Sequence, residues 1–153
     1  MEKSWRTVRE LLGERPEVYG IDADDSVLAA LRLMAEKNVG ALMVSSAGRT
    51  AGIVSERDYA RKVELLGRTA AATKVREIMT ADVIHVSPSD DAYACLLLMR
   101  KHRVRHLPVM EGGRVIGVLS TRNVVEDVIR EEEQRINNLE LERLRMTTNT
   151  GSY

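Results

Sequence analysis

The feature that most constrains this chain is an internal repeat. Ile21 aligns with Val86 at an offset of 65 residues, and that offset holds without a gap through Met34/Met99, Val39/Val104, Val44/Val109, Gly52/Gly117, Ser55/Ser120 and Arg57/Arg122. Self-similarity at a fixed spacing means one structural unit used twice. Upstream, Val8-Arg9-Glu10-Leu11 matches Val75-Arg76-Glu77-Ile78 at an offset of 67, so the first copy carries two extra residues in the connector 13–20. The copies span about 7–63 and 74–129, and 130–153 forms a C-terminal helical extension with a flexible tail from 147. A chain of 153 residues with 44% hydrophobic content can bury one core or two small halves packed together.

Within each copy the hydrophobic period changes in a fixed order. Val27, Ala30, Leu31, Met34 and Asn38 fall at helical spacing, as do Ala92, Cys95, Leu96, Met99 and Arg103, which predicts a helix with an apolar face in each copy. Asp24 and Ser89 are the expected N-caps, with Asp25, Asp90 and Asp91 in the first turn where the helix dipole favours negative charge. Val18-Tyr19-Gly20-Ile21 and Val83-Ile84-His85-Val86 read as strands before these helices, and 41–44 and 106–110 as strands after them. Turns at Ala47-Gly48-Arg49 and Glu111-Gly112-Gly113-Arg114 lead to third strands at 51–54 and 115–119. Gly52 and Gly117 inside those strands imply close backbone approach by another group. Second helices begin after Ser55 and Ser120. The order β-α-β-β-α therefore occurs twice, a mixed α/β fold of the α+β class.

Composition removes several functions. The 23 basic and 23 acidic residues cancel, so no overall field draws the chain to nucleic acid or an anionic membrane. No run approaches the roughly 20 apolar residues of a membrane span, and residues 1–6 lack the apolar core of a secretory signal, so a cytoplasmic location is expected. Cys95 is the single cysteine and sits on an apolar helix face, which predicts a small buried hydrophobe rather than a nucleophile. With no Phe, one Trp and four Tyr, the core must be built from Val, Ile, Leu, Met and Ala.

Three strings recur in register: Gly52-Ile53-Val54-Ser55-Glu56-Arg57-Asp58, Val104-Arg105-His106-Leu107-Pro108-Val109 and Gly117-Val118-Leu119-Ser120-Thr121-Arg122-Asn123, with Val75-Arg76-Glu77-Ile78-Met79-Thr80 opening the second copy. In these residues, over about 7–130, the chain resembles the tandem cystathionine-β-synthase (CBS) domain pair, or Bateman module, of stand-alone bacterial type. The resemblance implies two pseudo-twofold-related units with adenosyl ligands such as AMP, ATP, NAD or S-adenosylmethionine in the clefts between them.

A nucleotide site needs an apolar slot for adenine, a carboxylate for the ribose hydroxyls and cationic or N–H donors for phosphate. Asp58 stands three residues after Ser55, where a strand-to-helix corner can aim both side chains into one cleft beside free helix N–H groups. The resemblance implies that Met79, Thr80, Asp82, Ile84 and Val104 face Ile53 and Asp58 across the pseudo-twofold, and that Tyr19, Val39, Val118, Ser120 and Asn123 form the other cleft. It also implies that Arg105 and His106 bind phosphate, with Gly40 and Ala41 at their positions in the first copy. AMP is the expected ligand, with NAD or ATP as alternatives.

Plainer readings stand beside these. Asp58 can cap its helix and still touch ribose. Arg57 and Arg122 serve equally as phosphate contacts or solvated charges. His102 and His106 have the spacing of a helical zinc pair, but a turn into a strand separates them, so no metal site is expected. No nucleophile is paired by pattern with a base and an orienting acid, so no catalysis is expected. The apolar positions of 126–145 are interrupted at 131–135, which argues against a long coiled coil and for docking on this or a partner module. The functional expectation is a regulatory homodimer that senses an adenine nucleotide and signals to an unknown downstream protein. The alternative is a partner-binding homodimer with vestigial clefts.

Overall fold

In a computed structural model the described residues are 5–14 and 16–149, with 148 and 149 described by their backbone alone. The first copy runs α1 (Val8–Leu12), β1 (Gly20–Asp22), α2 (Val27–Lys37), β2 (Ala41–Ser46), β3 (Arg49–Ser55) and α3 (Glu56–Tyr59). A wider π-helical turn, Ala60–Glu64, extends α3. Two 3-10 turns, Ala70–Ala72 and Val75–Glu77, lead to α4 (Ala92–His102), β4 (His106–Glu111), β5 (Arg114–Ser120) and α5 (Thr121–Asn149). This is an α+β chain with two small sheets.

Each sheet is built on one hairpin. β2 and β3 pair antiparallel from Ala41↔Ser55 to Ser46↔Arg49, and β4 and β5 repeat this from His106↔Ser120 to Glu111↔Arg114. Both turns need positive φ at two residues, and Ala47-Gly48 and Gly112-Gly113 adopt it. β1 adds a parallel third strand, Gly20↔Met43 to Asp22↔Ser45.

The second sheet has no counterpart of β1, contrary to the strand expected at Val83-Ile84-His85-Val86; Val86 alone bridges Val109. The cause is local. In the first copy Ala23 N extends the ladder to Ser45 O at 2.8 Å; its counterpart is Pro88, which has no N–H to donate. Ser87 N is meanwhile taken by Asp90 Oδ2 at 2.8 Å. Val18 and Tyr19 also lie outside β1, which begins at Gly20.

The helices α2 and α4 start later than the charge pattern suggests. Their N-caps are Ser26 and Asp91, not Asp24 and Ser89, and neither first turn holds an acid. Asp24 and Asp25 instead donate their N–H groups to Asp22 in a turn. Asn38 and Arg103, placed on the apolar faces by spacing alone, are left-handed C-caps with φ of 53° and 54°.

The leader of each copy packs on the other copy. Val27 N donates to Thr73 O and Val75 N to Asp25 O, while Ala92 N donates to Arg6 O and Val8 N to Asp90 O. The core of α2, β2 and β3 therefore includes Val75 and Ile78. The core of α4, β4 and β5 includes Val8. Cys95 is buried in that second core, where desolvation pushes its thiol up to about 11.

α5 is one unbroken helix through 131–135, where the apolar pattern lapses. Val124 and Asp127 are buried, but every residue from 133 to 147 is exposed, so the extension does not dock on its own module. No helix among the described residues is long and apolar enough to cross a membrane. The tail expected at 147–153 falls partly on α5, which continues to Asn149, and partly outside the described residues.

The two strand glycines are not equivalent. A Cβ on Gly52 would stand 2.4 Å from the backbone oxygen of Thr80, whereas one on Gly117 would meet the side chain of Leu12 at 2.6 Å. Backbone held in a bridge cannot yield as a leucine rotamer can. We expect Gly52→Ala to cost about 1–3 kcal/mol and Gly117→Ala about 1 kcal/mol at most, read by urea denaturation. Equal losses would contradict the difference.

Candidate functional site

The turn from β3 into α3 fixes the centre of the first cleft. Ser55, still extended at φ −130°, caps α3 by accepting from Asp58 N, while Asp58 Oδ2 accepts from Ser55 N at 3.0 Å and Ser55 Oγ at 3.1 Å. Asp58 Oδ1 lies 3.0 Å from Lys62 Nζ, which also donates to Ile78 O at 2.8 Å. The capping role of Asp58 is thus realised, and its carboxylate is held rigidly from two sides.

Across the cleft, Ile53 and Thr80 exchange backbone hydrogen bonds of 3.0 and 2.9 Å, which ties the second copy's leader to β3. The resulting cavity of about 300 Å³ is lined by Ile53, Ser55, Arg57, Asp58, Thr80, Asp82, Ile84, Val104, Arg105 and His106, each anticipated from sequence. Gly40, Glu56, Arg61, Val83 and Arg103 also line it and were not anticipated. Arg61 had a usable signal: it follows Arg57 by four residues, the spacing that puts two side chains on one helical face. Met79 is not in the lining; it packs on the first core, because Thr80 makes the bridge and the neighbouring side chain turns away.

Cations gather at this cleft. Arg57 NH1 donates to Arg103 O at 3.3 Å, and Arg105, then desolvation, then Arg61, hold the Arg57 guanidinium below its ordinary value. Among the described residues no carboxylate is in an ion pair with Arg57, Arg61 or Arg105. His106 lies against Gly40, where an added Cβ would stand 3.4 Å from the imidazole. Burial first, and Arg105 second, hold His106 below its ordinary value.

The second copy repeats the corner but not the cleft. Ser120 N and Oγ donate to Asn123 Oδ1 at 3.3 and 2.6 Å, and Asn123 N donates to Ser120 Oγ at 3.2 Å. A cavity of about 460 Å³ lies here, lined by Val118 and Asn123 of the expected set together with residues of the leader and α5. Tyr19, Val39, Ser120 and Arg122 are not in its lining. Tyr19 and Val39 pack on the first core, with Lys37 Nζ 5.4 Å from the Tyr19 ring centre. Arg122 is 85% exposed and paired with Glu126 at 2.9 Å. The physical reason is local packing: the Leu12 side chain at the end of α1 lies against Gly117, where the Thr80 backbone lies against Gly52, and among the described residues Val118 makes no bridge of the Ile53–Thr80 kind. His102 ends α4 and His106 starts β4, so the two share no helix face.

Comparison with known proteins identifies the family that carries this repeated corner. The CBS domain family model matches twice, at 8–65 and 75–130. The chain belongs to the CBS domain family. It is 42% identical over 122 residues, 74% of its length, to a mitochondrial CBS domain-containing protein of Arabidopsis thaliana. The CBS chain spans 59% of that relative. A candidate signal-transduction protein with CBS domains from Burkholderia ambifaria superposes with a TM-score of 0.78 at 47% identity, over 82% of this chain and 95% of that one. A hexameric CBS-CP12 protein from bloom-forming cyanobacteria superposes at 0.73 with 26% identity, over 80% and 68%. The CBS pair is a regulatory, signal-transduction type of module.

His106 generates a pH prediction. Its folded value lies below the unfolded value of about 6.5, so the unfolded chain binds the proton first as pH falls. The associated stability is complete above about 6.5 and is lost as pH drops through the folded value. We expect His106→Gln to gain thermal stability relative to wild type between pH 7.5 and 5.5; an unchanged difference in Tm would show that His106 does not contribute.

Proposed function

We propose that the first cleft binds an adenine nucleotide, AMP foremost and ATP or NAD as alternatives, and that the module passes its occupancy to a partner protein. One observation carries this reading: Arg57, Arg61 and Arg105 converge without an ion-paired carboxylate beside an apolar slot of Ile53, Ile84 and Val104. Clustered like charges repel, and a phosphate relieves that repulsion while accepting several charged hydrogen bonds. His106 becomes a better phosphate partner as it protonates.

Asp58 supports ribose binding with a restriction. A carboxylate offers about four acceptor positions. Ser55 takes two at Oδ2 and Lys62 one at Oδ1, so one ribose hydroxyl fits directly and a second requires Ser55 or Lys62 to let go. At the equivalent position Asn123 offers one acceptor oxygen, already receiving two bonds from Ser120. The nucleotide reading therefore favours the first cleft over the second. Regulation follows if the ligand binds two arrangements of the copies with different affinity. Cytoplasmic action and the absence of catalysis remain part of this proposal.

Calorimetric titration with AMP tests it. We expect one tight phase, weakened about tenfold to a hundredfold in Asp58→Ala and in Arg105→Ala, and weakened by added salt. Two equal phases, or tight binding that survives Asp58→Ala, would overturn the assignment. Mass spectrometry of small molecules released from freshly purified, denatured protein gives the ligand's identity.

The reading as a homodimer rests on a separate observation. Ile136, Leu139, Leu141 and Leu144 are 51–61% exposed on α5, an apolar load that a second copy would cover. Light scattering at tens of micromolar should give a dimer mass, shifted towards the monomer by Ile136→Glu with Leu139→Glu. A monomeric wild type would remove the proposal, whereas a dimer that releases no nucleotide and shows no thermal shift with adenylates would favour vestigial clefts.

A further inference from the structure

Beyond its buried first turns, α5 carries one ordered stripe. Ile129, Glu132, Ile136, Leu139, Arg143 and Met146 follow one another at alternating steps of three and four residues, the spacing that keeps a seam facing a second helix. The four apolar members are all more than half exposed. The lapse in the apolar pattern at 131–135 touches this stripe only at Glu132. Leu141 falls on the opposite face of the helix and lies outside it. Nothing in the module covers the arm, since every residue from 133 to 147 is exposed. A bare helix of this length is marginal in water, and packing on an apolar face is what ordinarily holds one.

The stripe is its own reverse. About a point midway between Asn137 and Asn138, Ile136 mirrors Leu139, Glu132 mirrors Arg143 and Ile129 mirrors Met146. Two copies laid antiparallel across that point would stack apolar side chain on apolar side chain in every layer but two, and in those two each Glu132 meets the partner's Arg143. A parallel pair would instead set Glu132 against the partner's Glu132 and Arg143 against the partner's Arg143. Like charges repel most where packing thins the water, so the seam charges select the antiparallel arrangement. The rim decides less. Antiparallel, Arg135 comes beside the partner's Glu142 while Glu133 meets the partner's Glu140, and the two effects offset. A parallel pair would place Arg135 beside the partner's Glu140, but exposed pairs contribute little, and Arg135 already lies 3.2 Å from Glu132 of its own helix.

We propose that two copies associate through an antiparallel seam of α5, with Glu132 of each paired to the partner's Arg143. This rests on the homodimer reading and adds its geometry. Each Met146 comes to the partner's Ile129, two residues on from the buried Asp127, so the modules stand at opposite ends of the seam. Their Thr121 ends would be about 50 Å apart at 1.5 Å per residue.

Sedimentation equilibrium of the full chain reads the dimer constant. Glu132→Arg should weaken the dimer at least tenfold, because two layers then hold Arg against the partner's Arg143, and Arg143→Glu should do the same. The two changes together should recover most of the wild-type affinity. In a parallel pair either single change swaps one like-charge layer for another and alters little. Leu141→Glu should leave the dimer intact. These positions lie on the exposed arm, so the thermal transition of the module by circular dichroism should not move. A nitroxide on Thr147→Cys should lie about 30 Å from its mate by pulsed electron resonance, against about 20 Å or less in a parallel pair; Cys95 is buried away from the label. Single swaps without effect, a double swap no tighter than the singles, or the shorter distance would overturn the antiparallel seam and leave the α5 homodimer standing. A monomeric wild type, or a dimer that survives Ile136→Glu with Leu139→Glu, would overturn the homodimer reading and this proposal with it.

Discussion

Backbone hydrogen bonds hold the copies to one another, among them Val27 to Thr73, Val75 to Asp25, Ala92 to Arg6, Val8 to Asp90 and the reciprocal pair between Ile53 and Thr80. Each copy lends its leader to the core of the other. Val8 and Val75 are fully buried in the core of the opposite copy, so neither repeat can complete its core from its own sequence span. Removing either valine would leave a cavity in the half that did not encode it. The same exchange puts Thr80 beside Ile53 and builds the first cleft from both copies. A groove of this kind exists only while the leaders are seated.

The departure from symmetry starts where each leader meets the opposite hairpin. Thr80 bridges Ile53 through its backbone, whereas Leu12 packs its side chain on Gly117. One cleft is closed by backbone and the other by a side chain. Charge then separates them further, since Asn123 replaces Asp58 and Asp127 replaces Lys62 at matching positions. Each change alters what can be accepted or donated without disturbing the corner, because Ser120 and Asn123 reproduce the capping geometry of Ser55 and Asp58. The two copies thus keep one fold while the polar groups lining their cavities diverge.

Much of this is legible in the sequence because repetition doubles each weak local signal. The hairpins and both long apolar helices follow from the register of the repeat, while most of the ten anticipated residues lining the first cleft come from the resemblance to the tandem CBS pair. What does not transfer are features set by one residue's hydrogen bonding. Pro88 removes the donor that Ala23 supplies, so the strand before α4 shrinks to a bridge. Ser26 and Asp91 cap the helices because the preceding aspartates and serines make their own turns. Symmetry alone would put Tyr19 and Val39 in the second cleft, yet they pack on the first core and are not in that cavity's lining. Asp127 gives no sign in the sequence: an acid within a charged helix looks solvated, and only the fold buries it against Arg6.

The geometry also bears on how occupancy of a cleft would reach a partner. A ligand in the first cleft would touch β3 and α3 from one copy and Thr80, Ile84 and Arg105 from the other, so it can distinguish arrangements that alter their separation. Arg105 is coupled onward, since its carbonyl accepts from Thr121 N at 2.8 Å at the first turn of α5. α5 then runs 29 residues without a break, about 43 Å at 1.5 Å per residue. Its far half makes no contact that buries it on the module. A tilt of about 5° at the Thr121 end would therefore move the other end by roughly 4 Å. On the proposed reading, such a displacement would carry to the second copy seated along the exposed Ile136 and Leu139.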